Sequence, residues 1–215
     1  MKYRLTDLMR EIRIALDQNM SSAALSDLGD VDTLSLNEVI RSKIEDAARI
    51  VILNAPTHLL GTGEVFGRSI SWHSAAGHGS GHILLPPDFL RLVMFQMSDW
   101  SRAVFDAITP DDPIYAMQSS RFPGLRGNPS KPVVAIVNSS VGMTLEFYSC
   151  TGGKSVSIKQ ASYLPKPRIL GDTIELSEKL KEPTVYQAAS MVAASFGETD
   201  KAVALANISN SLLEK

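Results

Sequence analysis

The chain has a single cysteine, Cys150, so neither an internal disulfide nor a cysteine-based metal site can form within one copy. Nowhere do about 18 apolar residues follow one another, which excludes a membrane span of ordinary length. A secretory signal is missing too. The N-terminal stretch MKYRLTDLMREIRIALDQN alternates charged and apolar residues at helical spacing and has no apolar centre, which predicts a protein made and kept in a cytoplasm. No internal repeat and no low-complexity segment occurs. Acidic side chains are absent altogether between Asp112 and Glu146.

What is present suits a folded protein. With 215 residues, 44% of them hydrophobic, and a mean hydropathy of +0.02, the chain can bury one good core, or a helical domain beside a small β domain. Its net charge is only −2, but the charge is unevenly placed. Residues 1–112 carry 10 basic and 15 acidic side chains, residues 113–171 carry 7 and 1, and residues 172–215 carry 4 and 7. The basic middle favours phosphate or an acidic protein surface, although the same charges spread in several directions also describe an ordinary solvated surface.

Leu5, Leu8, Met9, Ile12, Ala15 and Leu16 form one stripe and predict an amphipathic helix over residues 4–19. Residues 20–34 are small, polar and acidic and read as a loop. Ser35-Leu36-Asn37-Glu38 is a capping box, in which serine and glutamate satisfy each other's free backbone amides. Leu36, Val39, Ile40, Ile44, Ala47, Ala48 and Val51 then face a core until Pro56 ends the helix. Near the other end, Pro183 suits a first-turn position, Val185, Ala189, Val192 and Phe196 share a face, Gly197 is a C′ stop, and Thr199 opens a last helix through Leu213. Ala188, Ala189, Ala193 and Ala194 leave room for a closely packed neighbour.

Between residues 61 and 86 the period changes to two, predicting a hairpin with a loose tip, HSAAGHGSGH. Residues 133–138 and 144–150 predict a second hairpin, and residues 155–163 a third strand beside it, giving a three-stranded antiparallel meander. The expected fold is therefore α+β: N-terminal helices, a β-rich middle of antiparallel hairpins, and a C-terminal helical tail. It is read as one domain over residues 1–215, with a helical part (1–56 plus 176–215) and a β-rich part (61–175). Residues 117–132, rich in proline and glycine, and residues 168–175 read as arms that order against a partner.

Each candidate for chemistry has a plainer reading. His73, His78 and His82 lie within ten residues, but their loop holds no carboxylate or cysteine to complete a four-ligand metal site, so it reads as a loop touching a neighbour. Gly152-Gly153-Lys154-Ser155 lacks the earlier glycine of a phosphate loop, because Tyr148 stands there, and reads as a turn before a strand. Cys150 is a strand-end thiol, and His58 follows a helix-ending proline without a partner pattern. Asp106, Asp111 and Asp112 read as helix caps at Thr109-Pro110-Asp111-Asp112-Pro113. Trp72, Trp100, Phe122 and Tyr163 read as core aromatics. No catalytic residue, metal ligand or cofactor is expected.

The most informative run is ILLPPDFLRLVMFQMSDWSRAV, residues 83–104. Pro86-Pro87 stops a strand, Asp88 can cap the turn that follows, and Leu90 to Gln96 is nearly all apolar, buried on both faces as a strand or a short helix. With DAITPDDPIYAMQSSRF (106–122), RGNPSKPVVAIV (126–137) and LEFYSC (145–150), this run resembles virion-type proteins of tailed phages and prophages of gut Bacteroidales, the crAss-like group among them. In plan the chain is similar to the head-to-tail adaptor proteins of short-tailed phages. The resemblance implies a structural virion protein at the head–tail interface: a homo-oligomeric ring, twelve-fold, joining the portal protein to the tail or to further ring proteins. It also implies that residues from Glu182 onward dock on the portal. Arg121, Arg126, Lys131, Lys154 and Lys159 would then face the DNA channel, in weak non-specific contact with packaged DNA, or an acidic partner. Two alternatives from other classes stand beside this: a small metal-dependent hydrolase or nuclease using the His73/His78/His82 loop with Asp88, and a DNA-binding accessory factor.

Overall fold

The computed structural model describes residues 1–17, 35–67, 69–73, 79–120, 122, 124–140, 142–151 and 156–214. The chain opens with β1 (Lys2–Arg4), α1 (Leu5–Ala15), α2 (Leu36–Asn54) and a 3₁₀ turn (Thr57–Leu59). Then come β2 (Glu64–Val65), β3 (Ser71–His73), β4 (Gly79–Leu84), β5 (Phe89–Met97) and the one-turn α3 (Pro113–Met117). It closes with β6 (Val134–Ser139), β7 (Gly142–Cys150), β8 (Ile158–Pro165), β9 (Ile169–Leu170), β10 (Thr173–Glu175), α4 (Glu178–Ser195) and α5 (Thr199–Leu213). The class is α+β, with helices at both ends and antiparallel sheets between them. Two compact units result, Met1–Gly61 with Lys166–Lys215, and Thr62–Pro165.

In the helical unit, Leu5, Leu8, Ile12 and Leu16 are buried as their stripe predicts, but α1 is shorter than the expected 4–19. Asp17 adopts a left-handed φ of 55°, a conformation that ends a helix, and the rest of that expectation, like the loop 20–34, lies outside the described residues. The capping box is in place: the Ser35 N–H donates to Glu38 Oε2 at 2.7 Å and the Glu38 N–H to Ser35 Oγ at 3.4 Å. Those bonds from Ser35 hold the exposed Glu38 carboxyl below its ordinary value. Helix α4 packs on both α2 and α5, and Ala47, Ala48, Ala188, Ala189 and Ala193 are buried there, whereas Ala194 is exposed. At its end the Glu198 N–H reaches Ala193 O and the Gly197 N–H reaches Ala194 O, with Gly197 at φ 79°, a Schellman stop.

Two expectations about this unit need correction. Pro183 is not in a first turn: α4 begins at Glu178, and Pro183 lies inside it. Burial of Leu180 holds the extra turn in place although Pro183 has no N–H for the carbonyl four residues earlier, and Pro183's own carbonyl accepts from Ser209 Oγ of α5 at 2.9 Å. Residues 168–175 are not an arm of the β-rich part. They form the β9–β10 hairpin, which pairs antiparallel with β1 in a three-stranded sheet of the helical unit. Arg41 donates to Gly171 O and the Ile169 N–H to Glu45 Oε1, tying the hairpin to α2.

The β unit has two antiparallel sheets, ordered β2-β8-β5 and β3-β4-β7-β6. Between them lies one core that includes Ile83, Phe95, Met97, Trp100, Leu145, Phe147 and Tyr163. Residues 90–96 are thus strand, buried mostly on both faces. The β6–β7 hairpin is as expected, but the meander is not. β8 pairs with β5 and β2 in the other sheet, and β4 takes the place beside β7. Nor is 61–86 one hairpin: β3 and β4 pair, while β2 pairs with β8 and the chain then leaves it through Gly67, whose φ is 86°, before β3. Gly81 allows the β3–β4–β7 packing, since a Cβ there would lie 2.6 Å from Ser71 O and 2.8 Å from the Phe147 ring. Val104 pairs with Phe95 at the edge of β5 and Ile108 bridges Ala135 on β6, so residues 104–108 join the two sheets along one side.

Candidate functional site

The turn that follows β5 organises the basic end of the β unit. The Ser98 N–H donates to Ser157 O at 2.8 Å, and the Ser157 N–H returns a bond to Ser98 Oγ at 3.1 Å, just ahead of Lys159 on β8. Asp99 Oδ2 accepts from the Thr151 N–H at 2.6 Å and from Thr151 Oγ1 at 3.0 Å. The Ser101 N–H and Oγ both donate to Pro129 O, two residues from Lys131. This one turn therefore gathers the segments that carry Arg126, Lys131 and Lys159. Lys131 and Lys159 are exposed and Arg126 is half-buried, while Arg121 and Lys154 lie outside the described residues.

Sequence reasoning missed Arg102. It is exposed and follows the same turn directly, but it falls in the acidic first half of the chain, where a count by window hides it. The relevant signal is its place after Asp99-Trp100-Ser101, which only the turn's partners reveal.

The described residues of the 117–132 segment, read from sequence as an arm, are built into this unit. Gln118 is buried; its Nε2 donates to Ile114 O at 2.8 Å and its Oε1 accepts from the Gly127 N–H at 2.9 Å. Asn128 and Lys131 exchange backbone bonds, and the Val133 N–H reaches Ser149 Oγ at 2.9 Å. Asp112 caps α3, accepting from the Ile114 N–H at 2.8 Å, as the composition of that turn predicts. Among the side chains the loop leaves outward are two large apolar ones, Phe122 at 71% exposure and Leu125 at 56%, and nearby Phe105, Ile114 and Met117 are also open. Phe122 is thus not core, unlike Trp100 and Tyr163, which are buried, and Trp72, which packs edge-on to Phe147.

A second open surface belongs to the helical unit. From Ala202 to Leu213 the sequence has no charged residue, yet Val203 is 55% exposed, and Ala204, Asn207, Ile208 and Ser211 also face outward on α5. A surface helix ordinarily carries charge on its outer face.

Several titratable groups of the β unit are engaged in structure. Cys150 is buried beside the Trp100 indole and the Asp99 carboxylate; burial first, then the Asp99 charge, push its thiol up to about 12. At pH 8 the folded protein should thus be alkylated at Cys150 on the order of a thousandfold more slowly than the urea-unfolded chain, which quenched-flow or timed mass spectrometry can measure. Equal rates would show that the thiol is not held neutral. Tyr163 donates to Asp88 Oδ1 at 3.0 Å and to Glu64 Oε2 at 3.3 Å, and burial, more than these carboxylates, raises its hydroxyl to about 12. Asp88 accordingly receives Tyr163 rather than capping the turn, which closes by the Phe89 N–H bond to Pro86 O. Tyr115 and Tyr148 both donate to Glu146 Oε2 on the outer side of the four-stranded sheet, and both hydroxyls are raised, chiefly by burial.

His73 on β3 and His82 on β4 approach to 3.0 Å through Nε2 and Nδ1, while His78 and Gly152-Gly153-Lys154-Ser155 lie outside the described residues. The first described element after those residues is the strand β8. No group of three or more His, Cys, Asp and Glu able to hold a metal occurs among the described residues, and no helix among them is long and apolar enough to cross a membrane. No protein-family model matches the chain, and no curated protein matches it in sequence.

Proposed function

We propose that the chain is a structural virion protein that assembles with copies of itself into a ring joining the portal of a tailed phage to its tail. The observation that carries this reading is the presence of two unlike open surfaces, one on each unit: the apolar loop around Phe122 and Leu125, and the uncharged face of α5. A ring needs two unlike patches per subunit, because each subunit meets its neighbour heterologously. Exposed apolar residues grouped on one loop mark a contact surface more often than a solvated one.

The resemblance of residues 83–150 to virion-type proteins supplies the setting, with twelve subunits and with the helices from Glu182 onward meeting the portal. The basic end around Arg102, Arg126, Lys131 and Lys159 then faces the DNA channel or an acidic partner. A channel must let DNA slide, so exposed lysines in diffuse contact with phosphate suit it better than a tight base-reading site. Cryo-electron microscopy of purified particles tests the reading directly. A closed ring of this chain between portal and tail is the expected result; particles that lack the chain would overturn it.

A further inference from the structure

The geometry points to a site for one divalent transition-metal ion between His73 and His82, which would staple the edge strand β3 to β4. β3 is three residues long and lies at the edge of its sheet, with only β4 beside it. In the β3–β4 register Ser71 faces His82 and His73 faces Ser80, so the two histidines are diagonal neighbours on one face of the hairpin. Their ring nitrogens, His73 Nε2 and His82 Nδ1, are 3.0 Å apart, with ring centroids at 5.1 Å and planes tilted by 34°. Two imidazole nitrogens bound to one ion at about 2.0–2.1 Å stand roughly 3 Å apart when they occupy adjacent coordination positions. The pair therefore already has nearly the spacing of two ligands.

Among the described residues, the one bond that has to break is that between the rings. In the free pair one ring nitrogen donates its hydrogen to the other; on binding, the donor ring shifts that proton to its far nitrogen, Nδ1 of His73 or Nε2 of His82, and both facing lone pairs go to the metal. Water fills the remaining positions. Neutral imidazole selects Cu²⁺, Ni²⁺ and Zn²⁺ over Mg²⁺ and Ca²⁺, which prefer oxygen, and affinity should be highest for Cu²⁺. Glu146, opposite His82 across the sheet, accepts from the hydroxyls of Tyr115 and Tyr148, and no group of three or more possible ligands occurs among the described residues, so the site rests on the two histidines.

The test is calorimetric titration of the untagged full chain with Cu²⁺, Ni²⁺, Zn²⁺ and Mg²⁺, with electron paramagnetic resonance of the Cu²⁺ form. One saturable transition-metal ion per chain is expected, with two-nitrogen hyperfine structure, no response to Mg²⁺, and a rise in melting temperature on binding. His73→Ala and His82→Gln should each abolish the binding and the melting shift, while lowering the metal-free melting temperature by no more than the loss of one exposed hydrogen bond; His58→Ala, in the helical unit, should keep both. Absence of saturable binding, or binding that survives both His73→Ala and His82→Gln, overturns the site.

Discussion

Replacing Phe147 by alanine is expected to destabilise the β unit by about 3–5 kcal/mol, the usual cost of removing a buried phenylalanine. Phe147 is fully buried on β7, where its ring meets Phe95 at 6.1 Å and Trp72 edge-on at 5.3 Å, and it occupies the space that Gly81 leaves on β4. Because the ring touches both sheets and the neighbouring strand is tied by backbone pairing, the cavity has little freedom to collapse. A domain's whole stability is about 5–15 kcal/mol, so the variant should lose a large fraction of it. Both tryptophans, Trp72 and Trp100, belong to this unit, so their fluorescence in a urea titration reports the loss. With slopes of about 1–3 kcal/mol per molar urea, the midpoint should fall by roughly 1 M or more. A loss below about 1 kcal/mol would mean that Phe147 is not a central element of the core.

Reversing charge at Arg121, Arg126 and Lys131 together is expected to prevent assembly of infectious particles or to release their DNA. Lys131 is exposed and its turn is held by backbone bonds to Asn128, so glutamate there removes no packing. Substitutions of that kind usually change stability by about 0.5 kcal/mol or less. Their effect on a phosphate-facing channel is much larger, since each lost phosphate contact lowers the salt dependence of DNA binding by about 0.9 in the log–log slope. Infectious titre, DNA content per particle and the melting temperature of the purified variant separate the two effects. Normal titre with normal DNA retention would remove the basic end from the proposed function.

Several parts of the molecule were legible in the chain because their causes are local. The Ser35/Glu38 box, the Gly197 stop and the Asp112 cap each depend on groups within one helical turn, and each stands where the residues place it. The core stripes of α1 and α2 follow from periodicity in the same way. Pro183 misleads for a complementary reason: its preference for a first turn is local, but the burial of Leu180 one turn earlier outweighs it.

Strand partners were not legible. Alternation marks which residues of β8 face a core, but it carries no information on whether β7 or β5 lies alongside, and the order β2-β8-β5 emerges only when both sheets close on Phe95, Phe147 and Tyr163. The 168–175 segment was misassigned likewise, because its partner β1 lies at the far end of the chain. The same holds for the candidate sites. Arg102 joins the basic end through the turn shared with Thr151 and Pro129, and His73 meets His82 through the register of β3 and β4.

The sequence by itself determined the α+β class, the starts and stops of most helices and the composition of the basic middle, because capping, periodicity and charge act through near neighbours. The tertiary structure alone decided that residues 166–175 belong with the helices, how the strands pair and which cations and histidines stand together. Those depend on contacts between residues far apart in the chain, where the best burial of the whole core, rather than any local preference, selects the arrangement.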